Sequence, residues 1–160
     1  MEQEQMGEAL WELRVNLLRL AQSIVHNSHD AEDAVSTAME HALRKGAALR
    51  EKEKLRPWAM KITARCCYDL LRRGKRETPQ EFLPEETALQ SEGSLYTEIT
   101  ELPPLYGQVL ILYYYEGFST LEIASILRLT RPTVSMRLKR GREMLKQRLQ
   151  EVEDDENESL

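Results

Sequence analysis

The sequence contains little cysteine and histidine, and this scarcity argues against most kinds of catalytic or metal site. The two cysteines, Cys66 and Cys67, are adjacent, a spacing that suits neither a disulfide framework nor a two-pair zinc site. The three histidines have no matching nucleophile or carboxylate constellation, and no phosphate-binding glycine loop is present. We therefore expect no cofactor, no metal and no enzymatic activity, and we interpret the cysteines as small buried hydrophobic residues.

Long apolar runs are also missing. No uninterrupted stretch approaches the roughly 18 residues that a membrane span requires. The first seven residues lack the basic and then apolar signature of a secretion signal. We therefore expect a cytoplasmic protein without direct membrane insertion. The hydrophobic content of 41% is enough to bury a core in one medium domain or in two small ones.

Basic residues are outnumbered overall but are concentrated in two segments. The net charge of the chain is -5. Residues 50–76 nevertheless carry ten Lys/Arg against three acids, and residues 128–148 carry eight against one, so each segment has a net charge of +7. Residues 77–101 and 151–160 hold seven and six acids with no base. This alternation indicates two nucleic-acid contacts in one chain, and two solvated helix faces are the alternative.

Apolar residues recur at helical spacing, and no stretch alternates apolar and polar residues as a half-buried strand would. Thr78-Pro79, Leu83-Pro84 and Ser91-Glu-Gly-Ser94 interrupt this pattern and predict a flexible acidic linker over 77–95. We therefore predict an all-α protein of two small helical domains, residues 1–76 and 96–150, and a disordered acidic tail over 151–160. The clearest predicted helices are 16–25, 30–45, 57–73, 104–115, 120–127 and 131–149.

The second predicted domain contains a helix-turn-helix pattern. Ser119 and Glu122 have the spacing of a capping box, and after a turn of about three residues Thr130 can cap a second helix. That helix has one apolar face and one polar, basic face, which is typical of a helix that enters the major groove. An ordinary helical hairpin in a bundle core is the alternative. The residues assigned to duplex DNA are Arg131, Thr133, Ser135, Met136, Arg137, Lys139 and Arg140.

The first basic segment predicts a different contact. On a helix, one stripe holds Trp58, Lys61, Arg65, Tyr68, Arg72 and Arg76. Cations contact phosphates, while Trp and Tyr offer flat surfaces on which unpaired bases can stack, a combination suited to single strands. A core aromatic that anchors the start of the helix is the alternative for Trp58. The residues assigned to opened DNA are Arg56, Trp58, Lys61, Arg65, Tyr68, Arg72 and Arg73.

Three blocks of the sequence, in this order, resemble the extracytoplasmic-function (ECF) sigma factors, the minimal two-domain class of bacterial transcription initiation factors. The blocks are Asp30-Ala-Glu-Asp-Ala-Val35, then Arg56-Pro-Trp-Ala-Met-Lys-Ile62 running to Asp69-Leu-Leu-Arg-Arg73, then Leu102-Pro-Pro-Leu-Tyr-Gly-Gln-Val-Leu-Ile-Leu112 followed by Tyr114-Tyr-Glu-Gly-Phe-Ser119. Each block alone is weak, but their order and spacing over residues 9–149 are specific.

The resemblance implies a function and a set of partners. In this family the Asp-Ala-Glu-Asp helix docks on the β′ clamp helices of the polymerase, the basic helix recognises and melts the minus-10 element, and the last helix reads the minus-35 element. The implied partners are core RNA polymerase, through the β′ clamp helices and the β flap, promoter DNA, and an anti-sigma factor. A stand-alone helix-turn-helix regulator and a sigma-like protein that has lost promoter melting are the alternatives. The implied core-binding residues are Asp30, Glu32, Asp33, Ser36 and Glu40.

The sequence departs from the family pattern in each block. Ser36-Thr-Ala-Met39 stands where the family usually has Gln, an acid and, at the last position, Phe. Arg65 replaces a common Asn, which adds a cation to the stripe while removing a side chain that can pair with a base edge. Ser135-Met136 replaces a basic residue and Ser. We therefore borrow no promoter preference from a relative.

Overall fold

The structure is a computed structural model that describes residues 2–46, 49–74 and 94–158. A 3-10 turn (Lys52–Lys54) lies directly before the helix that begins at Leu55. A π-helical turn (Ile111–Tyr115) continues the helix that ends at Leu110. No strand occurs in these ranges, and the predicted all-α class is confirmed. None of the described helices is long and apolar enough to cross a membrane. The helices are α1 (Gln3–Ile24), α2 (Ser28–Lys45), α3 (Leu55–Gly74), α4 (Leu95–Thr100), α5 (Pro104–Leu110), α6 (Thr120–Leu127) and α7 (Arg131–Glu158).

Helices α1, α2 and α3 pack on one another as a three-helix bundle, hereafter the first half (residues 2–74). Asn27 caps α2 by accepting hydrogen bonds from the backbone N–H groups of His29 and Asp30 at 2.9 and 3.1 Å. The inward face of α2 is a stripe of small side chains, which lets the neighbouring helices approach closely. The buried residues of this stripe are Ala31, Ala34, Val35, Ala38 and Ala42.

Helices α4 to α7 form the second half (residues 94–158). Helix α5 packs along α7, and α6 crosses the start of α7. Gly107 lets α5 approach α4, since a Cβ there would lie 3.0 Å from the carbonyl oxygen of Ile99. Helix α6 has the predicted bounds. The predicted helix 104–115 is found as α5 followed by the π-helical turn.

Three predicted boundaries are wrong. Helix α1 begins at Gln3 rather than at residue 16, because Met6 and Leu10, which are both buried, already have helical spacing. Most of the predicted linker, 77–93, lies outside the described residues, but Leu95 begins α4. The tail predicted to be disordered continues α7 as far as Glu158. No Gly or Pro follows Gly141 to end that helix, and glutamate is a good helix former.

The two halves pack against each other. Helix α1 contacts α4, α5 and the π-helical turn, and α3 contacts α6. The buried apolar residues of both halves form one continuous cluster. Buried polar side chains also cross the contact, as where the Tyr96 hydroxyl donates to Gln22 Oε1. The two predicted DNA-binding elements therefore lie in one packed unit.

Candidate nucleic-acid interface

The turn between α6 and α7 has the geometry that the sequence predicts. Ser119 Oγ accepts from the backbone N–H of Glu122 at 3.2 Å, and Glu122 Oε1 accepts from the backbone N–H of Ser119 at 3.0 Å, so the capping box is complete. Helix α6 ends at Arg128, which adopts the left-handed conformation (φ 57°, ψ 47°). This reversal lets α7 begin three residues later, with Thr130 Oγ1 accepting from the backbone N–H of Thr133 at 3.4 Å.

The outer face of α7, hereafter the reading face, is largely open to solvent. Helix α7 packs inward through Val134, Leu138 and Gly141. Thr133 and Arg137 are half-buried. The exposed assigned residues are Arg131, Ser135, Met136, Lys139 and Arg140. The structure therefore brings all seven predicted duplex contacts onto the first three turns of one helix, where a recognition helix presents its side chains to base edges.

The stripe predicted on α3, hereafter the basic stripe, is only partly accessible. Arg65, Arg72 and Arg73 are exposed, whereas Arg56, Trp58, Lys61 and Tyr68 are half-buried. Trp58 and Tyr68 both pack against the hydrophobic core. Trp58 is therefore partly a core residue, as the alternative interpretation of the sequence expects. Arg72 also pairs with Asp69, one turn earlier on the same helix.

Tyr68 is covered by the second half. Its hydroxyl donates a hydrogen bond to Gln108 Oε1 on α5, and burial raises the pKa of Tyr68 above its usual value. Arg137 of the reading face lies close enough to oppose that rise electrostatically. The centre of the basic stripe and the inner edge of the reading face therefore meet where the halves are packed together.

Arg56 is held by the second half as well. Its guanidinium donates to the side chain and the backbone carbonyl of Glu116, and it lies over the ring of Phe118 with 4.5 Å between the guanidinium carbon and the ring centroid. Sequence reasoning did not single out Glu116. The available signal was that Glu116 is the one charged residue between Leu102 and Leu121, but nothing local shows which side chains would meet it.

The residues assigned to the polymerase contact lie on α2. Glu32, Ser36 and Glu40 form an exposed row, and Asp33 is exposed beside it. Asp30 is half-buried at the rim of a groove of about 960 Å³ between α3 and α6. The structure therefore brings four of the five residues onto the open side of α2 and places the fifth against the second half.

The two cysteines are on the inner side of α3. Cys67 is fully buried and Cys66 half-buried, and burial raises the pKa of both thiols. Thiols so protonated are poor nucleophiles and poor metal ligands, in agreement with their interpretation as core residues. The described residues contain no group of three or more His, Cys, Asp or Glu side chains that could hold a metal ion.

An exposed helix-turn-helix and a second helix that is basic and aromatic are features typical of DNA-binding proteins. The sigma-70 region 2 model matches residues 12–77, and the sigma-70 region 4 model matches residues 92–145. The chain is 32% identical over 134 residues to the RNA polymerase sigma factor SigV of Bacillus subtilis, covering 80% of this chain and 81% of SigV. It is 25% identical over 157 residues to the ECF sigma factor SigW of the same organism, covering 85% and 84%. The chain belongs to the sigma-70 family of RNA polymerase sigma factors, in its ECF group, and is a transcription initiation factor that directs core polymerase to promoters.

Two solved structures have the same fold. The sigma factor RpoE, in complex with the anti-sigma factor NepR from Bartonella quintana, matches with a TM-score of 0.71 and 23% identity over 88% of this chain and 95% of that one. CnrH, in complex with the cytosolic domain of CnrY, matches with a TM-score of 0.66 and 21% identity over 93% and 90%. At these identities the likeness concerns the fold.

Proposed function

We propose that the two DNA surfaces divide promoter recognition between them. The reading face of α7 contacts the minus-35 duplex, and the basic stripe of α3 holds the opened minus-10 strand. The observation that carries this division is the different chemistry of the two faces. Helix α7 presents small polar and cationic side chains and Met136, but no aromatic ring, whereas α3 pairs cations with Trp58 and Tyr68. Aromatic rings bind bases only after they have left the duplex.

The proposal requires the halves to separate on the promoter. Two elements centred about 25 base pairs apart are separated by roughly 85 Å of duplex at 3.4 Å per base pair. A compact chain of this length has a radius of gyration of only about 15 Å. The packed arrangement therefore cannot reach both elements, and it also covers Tyr68. We interpret it as the state of the free protein.

We propose that the remaining partners bind the following surfaces. The exposed row on α2 docks on the β′ clamp helices of core polymerase, a proposal supported by the match of residues 12–77 to sigma-70 region 2. The second half contacts the β flap. An anti-sigma factor binds the protein when it is not engaged with polymerase, a role supported by the complex of RpoE with the anti-sigma factor NepR, in which RpoE has the same fold. The protein acts in the cytoplasm and catalyses no reaction itself.

Transcription from two templates tests the division of labour. Arg65→Ala and Tyr68→Ala should reduce transcription from a closed promoter with core polymerase, because stacking and phosphate contacts stabilise the separated strand. The reduction should be smaller on a template that carries a pre-opened bubble over the minus-10 element, since strand opening is then no longer required.

Lys52→Ala is the matched control, because Lys52 is an exposed cation just before α3 and outside the basic stripe. It should transcribe both templates as well as the original chain. Equal losses on the closed and pre-opened templates for Arg65→Ala and Tyr68→Ala would contradict a melting role. Tight sequence-specific duplex binding without polymerase would instead favour a stand-alone regulator.

A further inference from the structure

Three side chains of the first half converge on one carboxylate of the second half. Glu116 Oε2 accepts hydrogen bonds from Asn16 Nδ2 at 2.8 Å and from Arg56 Nη2 at 2.9 Å, and Oε1 accepts one from Arg19 Nη1 at 2.9 Å. The Glu116 side chain is fully buried, whereas the side chains of Arg19 and Arg56 remain 29% and 39% exposed. Two cations and an amide therefore surround a single anion at the contact between the halves.

This donor set belongs entirely to the first half. Within the described residues, Glu116 is the one carboxylate at ion-pair distance from Arg19 or Arg56. When the halves separate, the two guanidinium groups lose their counter-ion together. Neighbouring like charges repel each other, so the vacated position favours another anion. Guanidinium groups present the same fork of donors to a phosphate as to a carboxylate.

We propose that Asn16, Arg19 and Arg56 form a phosphate site, which Glu116 occupies while the halves are packed together and a phosphodiester of the opened promoter strand occupies when they are apart. Glu116 is then an internal competitor of DNA. The proposal rests on the proposed function of α3, because Arg56 belongs to the first turn of that helix.

The position of Arg56 favours a nucleic-acid strand as the occupant. Arg56 lies two residues before Trp58 and five before Lys61, so a strand that follows the basic stripe arrives at the site. Separation also uncovers the flat face of Arg56 that now lies over Phe118, and a guanidinium plane can stack on a base. A carboxylate supplied by the polymerase is the competing occupant.

Two measurements on the full chain test the proposal. The first is the affinity for a fluorescently labelled single-stranded oligonucleotide, measured by anisotropy at several salt concentrations. The second is the radius of gyration, measured by small-angle scattering. Glu116→Gln removes the buried anion and leaves Arg19 and Arg56 unpaired in the packed arrangement, which disfavours it. The radius should increase, and binding should tighten by about tenfold if the open state of the original chain is about 10% populated.

A second substitution tests the phosphate site itself. Arg19→Ala in the Glu116→Gln background removes one phosphate contact, so the gain in affinity should shrink and the slope of affinity against salt should fall by about 0.7. Glu98→Gln is the matched control, because Glu98 is a buried acid paired with Arg148 inside the second half. It should change neither the radius nor the affinity.

Several outcomes would overturn the proposal. Expansion of Glu116→Gln without tighter binding would do so, as would a salt slope that Arg19→Ala leaves unchanged. In either case the proposed function would still be supported if Arg65→Ala and Tyr68→Ala reduced promoter opening as expected. A loss of affinity for core polymerase in Arg19→Ala, with an unchanged salt slope for the oligonucleotide, would assign the site to a polymerase carboxylate.

A second route to the open state covers the possibility that Glu116→Gln does not fold, which circular dichroism would reveal. Tyr96→Phe removes the hydroxyl that donates to Gln22 and weakens the contact between the halves without removing Glu116 or any of its three donors. Tyr96→Phe with and without Arg19→Ala should give the same ordering of affinities and salt slopes. Identical slopes for the two chains would overturn the phosphate site.

Discussion

Arg140 is the residue at which a base contact can be tested with least disturbance of the fold. It is exposed and has no ion-pair partner among the described residues. On the same face of α7, Met136 lies one turn before it and Thr133 lies two turns before it. Arginine is the side chain most suited to bidentate contact with a guanine edge in the major groove. A change at Arg140 should therefore affect DNA binding without affecting stability.

We expect Arg140→Ala to weaken promoter binding by about 1 to 3 kcal/mol and to relax the preference at one base position. Affinities of the polymerase complex for a set of promoters with single-base changes in the minus-35 element would measure both effects.

The control for this prediction is Gln147→Ala, an exposed side chain about 10 Å farther along α7, which should leave affinity and preference unchanged. If Arg140→Ala kept both the affinity and the base preference of the original chain, Arg140 would not belong to the interface.

Helix α6 determines where α7 begins, and its own start is held by local contacts. Ser119 and Glu122 exchange hydrogen bonds, while Phe118 and Ile123 on either side of the cap are buried. We expect Ser119→Ala to lower the free energy of unfolding by about 1 kcal/mol, because it leaves a helix-end donor without its partner. Urea denaturation of the full chain would measure the loss.

Ser125→Ala provides the comparison on the same helix. Ser125 is exposed in the interior of α6, where alanine is the better helix former. Its free energy of unfolding should stay equal to that of the original chain or rise slightly. Equal losses for the two substitutions would show that the cap contributes nothing particular to stability.

The elements that the sequence predicted correctly are those with local signals. The bounds of α6 follow from its cap and from apolar spacing within eight residues. The short helix α4 was missed because one and a half turns offer no periodicity to count. The length of α7 was underestimated because its acidic end resembles a disordered segment in composition, although no residue there stops a helix.

The contact between the halves had no signal in the sequence. Gln22 and Gln108 are buried polar residues whose partners lie 74 and 40 positions away, and the three partners of buried Glu116 lie 60, 97 and 100 positions away. A buried glutamine and an exposed one look alike in a sequence without knowledge of the fold. The residue types of the two proposed DNA surfaces could therefore be read from the sequence, but the side chains that cover them could not.

Over the whole molecule, the acidic end of α7 balances the two basic surfaces. Residues 151–160 hold six acids and no base. A chain that ends after Gln150 would thus have a net charge of +1 instead of -5. We expect it to bind nonspecific duplex about eightfold more tightly at low salt, which corresponds to roughly 0.2 kcal/mol for each of the six screened charges removed. Titration of a fluorescently labelled nonspecific duplex with each chain at two salt concentrations would measure this effect.

Replacing the same six acids by glutamine separates charge from helix length. This variant should bind nonspecific duplex as tightly as the shortened chain, and both should lose the advantage as salt increases. If only the shortened chain bound more tightly, a steric role of the end of α7 would explain the change, and charge would not.

Under the proposed assignment of the reading face and the basic stripe to DNA, their unequal exposure would give promoter recognition an order in time. Lys139 and Arg140 are available in the packed arrangement, whereas Tyr68 and Arg56 are released only when the halves part. The reading face would then contact the duplex before the basic stripe can hold an opened strand. The protein could dissociate from a wrong sequence before any base pair is broken. The packed state would act as a checkpoint that makes early errors reversible and defers commitment until polymerase and both elements are engaged.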